Sequence, residues 1–149
     1  MLDRFEEFDI ATTGTTIHGR RGGQGPPVLL LHGIPETHLM WRQVAPQLAG
    51  QFTVVATDLR GFGASGTPPS GPRSRAVQHA RARPRPGRGH ERATLVLWSH
   101  SGPIAGWYRP LDIWKAWASE VRGGPIPAGH FIAEEAPDLT ARYLTEFLA

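Results

Sequence analysis

The chain contains no cysteine among its 149 residues, which excludes a disulfide framework and any thiolate metal site. No apolar run approaches the roughly 20 residues that a membrane-spanning helix needs. The opening stretch, Met1 to Glu7, also lacks the apolar core of a secretory leader. These absences predict a soluble, cytoplasmic protein with no membrane partner. A further shortage is local: between residues 68 and 92 the only large apolar side chain is Val77. Prolines 68, 69, 72, 84 and 86 and glycines 71, 87 and 89 interrupt any helical or strand period there. Such a composition does not offset the entropy of ordering, so residues 68–92 are predicted to be a disordered linker.

Charge is equally uneven. Residues 71–92 carry seven arginines against a single acid, Glu91, while the rest of the chain has nine Lys or Arg against twelve Asp or Glu. The net charge of +3 therefore comes from one segment and is no signature of nucleic-acid binding. The segment has no aromatic residues on which bases could stack. Sixteen of its twenty-two residues are Pro, Ala, Gly or Arg, whose codons can be built from G and C alone. That bias points to a G/C-rich gene that has lost its middle or is read out of frame there, with a plain linker as the alternative.

The flanking stretches have recognisable periods. Phe5–Thr12 and Thr15–Arg20 read as two strands around Gly14. Val28–Leu31 is a short continuous apolar run, as expected of a parallel strand covered on both faces. Trp41, Val44, Ala45 and Leu48 share a helical face that Pro46 should bend or restart. Phe52–Ala56 is the next strand, so this stretch is a βαβ unit with parallel strands. After the linker, Thr94–Trp98 reads as a strand, and Ile113, Trp114 and Trp117 as a helix opened by Pro110. A weaker strand covers Val121–Ile126. A last helix starts at Pro137 and Asp138, with Leu139, Tyr143, Leu144 and Phe147 as its apolar face.

Two stretches at strand ends could carry chemistry. His32-Gly33-Ile34-Pro35-Glu36 follows the third strand, where a glycine lets backbone N–H groups approach a developing oxyanion. Asp58-Leu59-Arg60-Gly61-Phe62-Gly63-Ala64-Ser65 follows the fourth. Together they resemble the N-terminal part of α/β-hydrolases, in particular the branch of epoxide hydrolases and haloalkane or haloacetate dehalogenases. Gly129-His130-Phe131 with Glu134, Glu135 and Pro137 resembles the same family's C-terminal histidine loop. Gly102-Pro103, where many relatives hold an orienting aspartate, looks most like the haloacetate (fluoroacetate-type) dehalogenases.

The resemblance implies an α/β fold: a partial α/β-hydrolase with a mostly parallel sheet and flanking helices, lacking the nucleophile strand and the cap. Residues 1–67 would be its N-terminal half and residues 93–149 its C-terminal half. His130 would be the general base, His32, Gly33 and Ile34 the oxyanion loop, and Trp41 a pocket residue. No nucleophile motif, neither G-H-D nor G-x-S-x-G, occurs in the chain. By the same resemblance any substrate would be a small molecule, turned over with no metal and no other cofactor and without nucleic-acid partners; the oligomeric state is left open. Two further readings are a non-catalytic remnant and, as a minor one, a serine esterase using Ser101 with Asp112 and His130. Two strands of the intact sheet would be missing, a gap of about 14 Å at about 4.8 Å per strand spacing. Either the halves close it by direct pairing, or a strand edge stays open.

Overall fold

A computed structural model describes residues 2–67 and 90–149. The disorder expected of residues 68–89 lies outside the described residues. The first part forms strands β1 (Glu6–Thr12), β2 (Thr15–Gly22), β3 (Pro27–Leu31) and β4 (Thr53–Thr57). They make one sheet in the order β1-β2-β4-β3. β1 and β2 form a hairpin around Gly14, whose φ of 86° suits glycine. β2 and β4 are antiparallel, and β3 and β4 are parallel, as the βαβ pattern requires. The sheet is therefore mixed.

Between β3 and β4 the expected helix comes in two pieces, a 3₁₀ turn at His38–Trp41 and helix α1 (Ala45–Leu48). Pro46 lies in the first turn of α1, where its missing N–H costs nothing. The pieces deliver Val44, Ala45 and Leu48 to a core with Leu30, Phe52, Val54 and Ala56, and Trp41 packs against it.

The second part starts earlier than its side chains suggest. Strand β5 runs His90–Ser99, so three residues assigned to the linker are strand. Parallel pairing with β6 (Ala118–Ile126) begins with His90 opposite Ala118 and, after an irregularity, resumes at Ala93 opposite Glu120. Two short helices, α2 (Pro103–Trp107) and α3 (Pro110–Lys115), connect β5 to β6, and α4 (Ile132–Glu135) and α5 (Pro137–Leu148) follow. α2 is not expected from the sequence, being little more than one turn. Trp117 falls just beyond α3.

α5 joins the halves. Its deepest residues are Thr140 and Ala141, and Ala141 and Leu144 join the α1 core. The expected face is turned inward, with Leu144 against the core and Leu139, Tyr143 and Phe147 half-buried, but the two most buried positions are not among its residues. Tyr143 and Phe147 border a cleft of about 190 Å³ with Leu95 and Arg122. Thr140 tolerates burial because its hydroxyl donates to the Ile132 carbonyl at 3.1 Å. Arg42 pairs with Glu134, and Gln47 donates to Asp138 at 2.8 Å, across the same junction.

Among the described residues, β3 pairs only with β4 and β5 only with β6. The gap is not closed by direct pairing. β3 is also not covered on both faces: Leu29 and Leu31 are 61% and 50% exposed, whereas Leu30, pointing the other way, is buried. In an intact layered fold a helix covers that outer face; no described helix lies there. No described helix is long and apolar enough to cross a membrane.

Candidate active site

The carboxyl ends of β3, β4 and β6 carry the residues singled out above, the usual place for a site in an open α/β sheet. His32 is buried. Its Nε2 accepts the Leu59 N–H at 2.9 Å, so the ring proton sits on Nδ1, which donates to the Gly33 carbonyl at 2.7 Å. His32 thus holds the Gly33 turn against the end of β4. Ile34 and Gly33 are exposed on that turn, and the Ile34–Pro35 bond is cis.

The second motif is also a brace. Asp58 is 1% exposed and accepts three N–H groups: the backbone and ring of His38 at 2.7 and 2.8 Å, and Ala64 at 2.9 Å. Burial alone would raise its pKa. The bonds from His38 and Ala64 outweigh that and hold it below the ordinary 3.8. Gly63, with φ 53°, lets the loop pass this carboxylate, for a Cβ there would lie 2.0 Å from Oδ2. Ser65 donates to the Asp58 carbonyl at 2.7 Å and accepts the His18 N–H at 2.9 Å, locking the loop to β2.

His130 stands exposed between β6 and α4, edge-on to Phe131 at 4.9 Å between centroids. Its loop is held by Glu135, which accepts the N–H groups of Gly129 and Phe131 at 2.6 and 3.0 Å. A Cβ on residue 129 would sit 2.5 Å from that carboxylate, hence the glycine. The His130 ring has no hydrogen bond to a described residue, so neither Ser101 nor Asp112 engages it. Asp112 instead pairs with Lys115 at 3.3 Å.

Glu36 shows that the two loops share one end of the molecule. Its pKa is raised by burial first and by Glu134 second, while His130 and His32 pull it down. Its Oε1 is buried without a partner, as is Nε1 of Trp41. A raised carboxyl costs nothing below the ordinary 4.5. Its cost enters as pH rises and is complete above the folded-state value. Glu36→Gln should therefore raise the melting temperature at pH 7 by about 1–3 °C, a small gain because the group is half-exposed and screened. Calorimetry should show that gain vanish below pH 4.5; a gain unchanged at acid pH would refute the assignment.

Sequence reasoning named Glu36 and Glu135 within the motifs without giving them a role, and missed His38 and His18. Three of these four flank or lie inside the motifs, but their partners come from other elements, which spacing does not show.

The comparisons bear on the fold and on the sequence resemblance. A family model described as the alpha/beta hydrolase fold matches residues 26–83. A fluoroacetate dehalogenase from Burkholderia sp is 46% identical over 72 residues, 48% of this chain and 24% of that protein. A soluble epoxide hydrolase from Corynebacterium sp. (strain C12) is 50% identical over 58 residues, 39% of this chain and 20% of that one. The matched part thus spans about a quarter or less of these curated relatives. Among solved structures, a candidate alpha/beta hydrolase from Nostoc sp PCC 7120 superposes with a TM-score of 0.83 at 22% identity, covering 100% of this chain and 99% of that one. A candidate epoxide hydrolase from Pseudomonas aeruginosa gives 0.81 at 20% identity, covering 99% and 96%. This chain therefore carries the α/β-hydrolase fold in partial form, and its sequence resembles the haloacetate dehalogenase and epoxide hydrolase branch of that superfamily.

Proposed function

We propose that this chain is a remnant of a hydrolase that worked through an aspartyl ester, and that it no longer turns substrate over. The observation that carries this is an absence within the chain: no aspartate stands between Asp58 and Asp112. In the resembling enzymes a carboxylate attacks carbon, expelling halide or opening an epoxide. A histidine then activates water to hydrolyse the ester. His130 lies on the loop for the second step, but without the first it has no ester to work on. The His32–Ile34 turn would retain its oxyanion-type N–H groups, and Trp41 its place beside the pocket. Residues 1–67 and 93–149 are read as the two hydrolase-derived halves, and 68–92 as the scar or linker between them, in a cytoplasmic protein.

The test is halide release from fluoroacetate and chloroacetate, and diol formation from a small epoxide, by the purified full chain. No turnover above buffer is expected, and His130→Gln should change nothing. Turnover that His130→Gln abolishes would overturn the proposal. The coding DNA across codons 66–94 tests the origin: a deletion junction, or hydrolase sequence in another frame, is the expected result, and neither being present would refute it.

A further inference from the structure

Three buried side chains outside the hydrolytic machinery meet where β2, the 3₁₀ turn after β3, and the end of β4 come together. They are His18, His38 and Asp58, which are 7%, 6% and 1% exposed. Each offers one metal-ligating atom, and these atoms lie within 4.8 Å of one another. The two imidazole rings are 5.5 Å apart between centroids.

The protonation pattern of the rings matters most. Oδ1 of Asp58 accepts the backbone N–H of His38 at 2.7 Å, so as a carboxylate oxygen it takes its second hydrogen bond from the ring Nδ1 of His38, 2.8 Å away. That leaves Nε2 with a lone pair, and this atom is buried with no hydrogen-bond partner. A buried acceptor without a partner is costly and calls for an explanation. His18 repeats the arrangement: its Nδ1 lies 3.0 Å from Asp9 Oδ1, and its Nε2 is 3.9 Å from Glu7 Oε1, beyond hydrogen-bond range. Two imidazoles, each held through Nδ1 by a carboxylate with Nε2 left over, are the arrangement in which histidine ligates metals. Nitrogens sharing a tetrahedral ion with bonds of about 2.0–2.1 Å sit about 3.3 Å apart. One ligand-capable atom from each of the three residues lies within 4.8 Å of the others, so the rings need to draw inward to share an ion. Glu7 is a further oxygen donor within reach of His18.

We propose that His18, His38 and Asp58 form a binding site for one late first-row divalent cation, zinc in the first place, with His18 and His38 as ligands. Asp58 acts through His38 and offers one remaining oxygen lone pair. Imidazole donors suit zinc, cobalt, nickel and copper and disfavour magnesium and calcium. The three residues are buried, so the role of the ion is structural. It would clip β2, the turn and β4 together at one end of the sheet. This inference does not depend on the proposed loss of turnover.

Co²⁺ titrated into the untagged full chain, followed by d–d absorption and calorimetry, should show one ion per chain. Zn²⁺ should displace it and raise the melting temperature, since an ion that binds only the folded state stabilises it. His18→Gln and His38→Gln should each weaken Co²⁺ binding at least tenfold. Asp9→Asn, an exposed change that spares the core, should weaken it about tenfold through His18. A His100→Asn, His130→Asn double variant, which removes two exposed imidazoles, should bind like the parent. If His38→Gln does not fold, His18→Gln and Asp9→Asn decide the matter. Absence of Co²⁺ binding at millimolar concentration, binding retained in His18→Gln, or binding lost in the double variant would each overturn the site.

Discussion

Asp58→Ala should unfold this protein or bring it close to unfolding. The substitution leaves three donors without an acceptor inside the fold: the N–H groups of His38 and Ala64 and the ring Nδ1 of His38. Removing one partner of a buried, charge-assisted network costs about 3–5 kcal/mol. Total stabilities of single domains run about 5–15 kcal/mol, and a sheet with uncovered apolar residues belongs at the low end. Asp58→Asn keeps one carbonyl oxygen for His38 but sets an amide against Ala64, so it should fall between the parent and Asp58→Ala. The pH dependence follows from the lowered pKa. Asp58's contribution is complete above the ordinary 3.8 and is lost as pH falls through the lower folded-state value. Urea denaturation followed by circular dichroism would measure both effects. An Asp58→Ala protein as stable as the parent at pH 7, or an identical acid limb in Asp58→Asn, would refute them.

That result would also recast the D-L-R-G-F-G-A-S stretch. In the sequence it carries part of the resemblance to α/β-hydrolases and sits at a strand end, which invites a catalytic reading of its acid. In the structure Asp58 faces inward and organises the turn at His38, twenty residues earlier. The strand–turn–strand order, the parallel pairing of β3 with β4 and the restart of the helix at Pro46 were legible because each rests on local period or a single proline. The face of α5 was legible only in part: Leu144 packs on the core as its period implies, but the deepest positions do not follow from an apolar count. Thr140 and Ala141 are its deepest residues because small side chains let it approach α1, whereas an apolar count favours Tyr143 and Phe147, which face β5 and β6 instead. His32 shows the same limit: its motif position was legible, but its tautomer and its bond to Leu59 depend on a neighbour 27 residues away. The start of β5 at His90 was hidden for a different reason, because backbone pairing with β6 outweighs poor side-chain content.

The largest effect on behaviour in solution should come from β3. Its outer side chains Leu29 and Leu31 are exposed, and among the described residues its far edge has no paired strand. An apolar strand with free backbone donors and acceptors is a template for another chain. Exposed aromatics also occur at Trp107, Tyr108 and Trp114, but they lie on or beside short helices whose backbone bonds are internal. They can add stickiness without propagating a sheet. β3 should therefore dominate self-association. Leu29→Lys combined with Leu31→Lys places two like charges on the open strand while leaving the buried Leu30 and the β4 pairing untouched. Sedimentation velocity should show the parent as a broad distribution of assemblies and the double variant as mainly monomer. Trp107→Ser with Trp114→Ser should leave most of the association in place. A parent that sediments as one sharp monomeric species, or a β3 variant that associates as much as the parent, would show that the open strand is not what drives chains together.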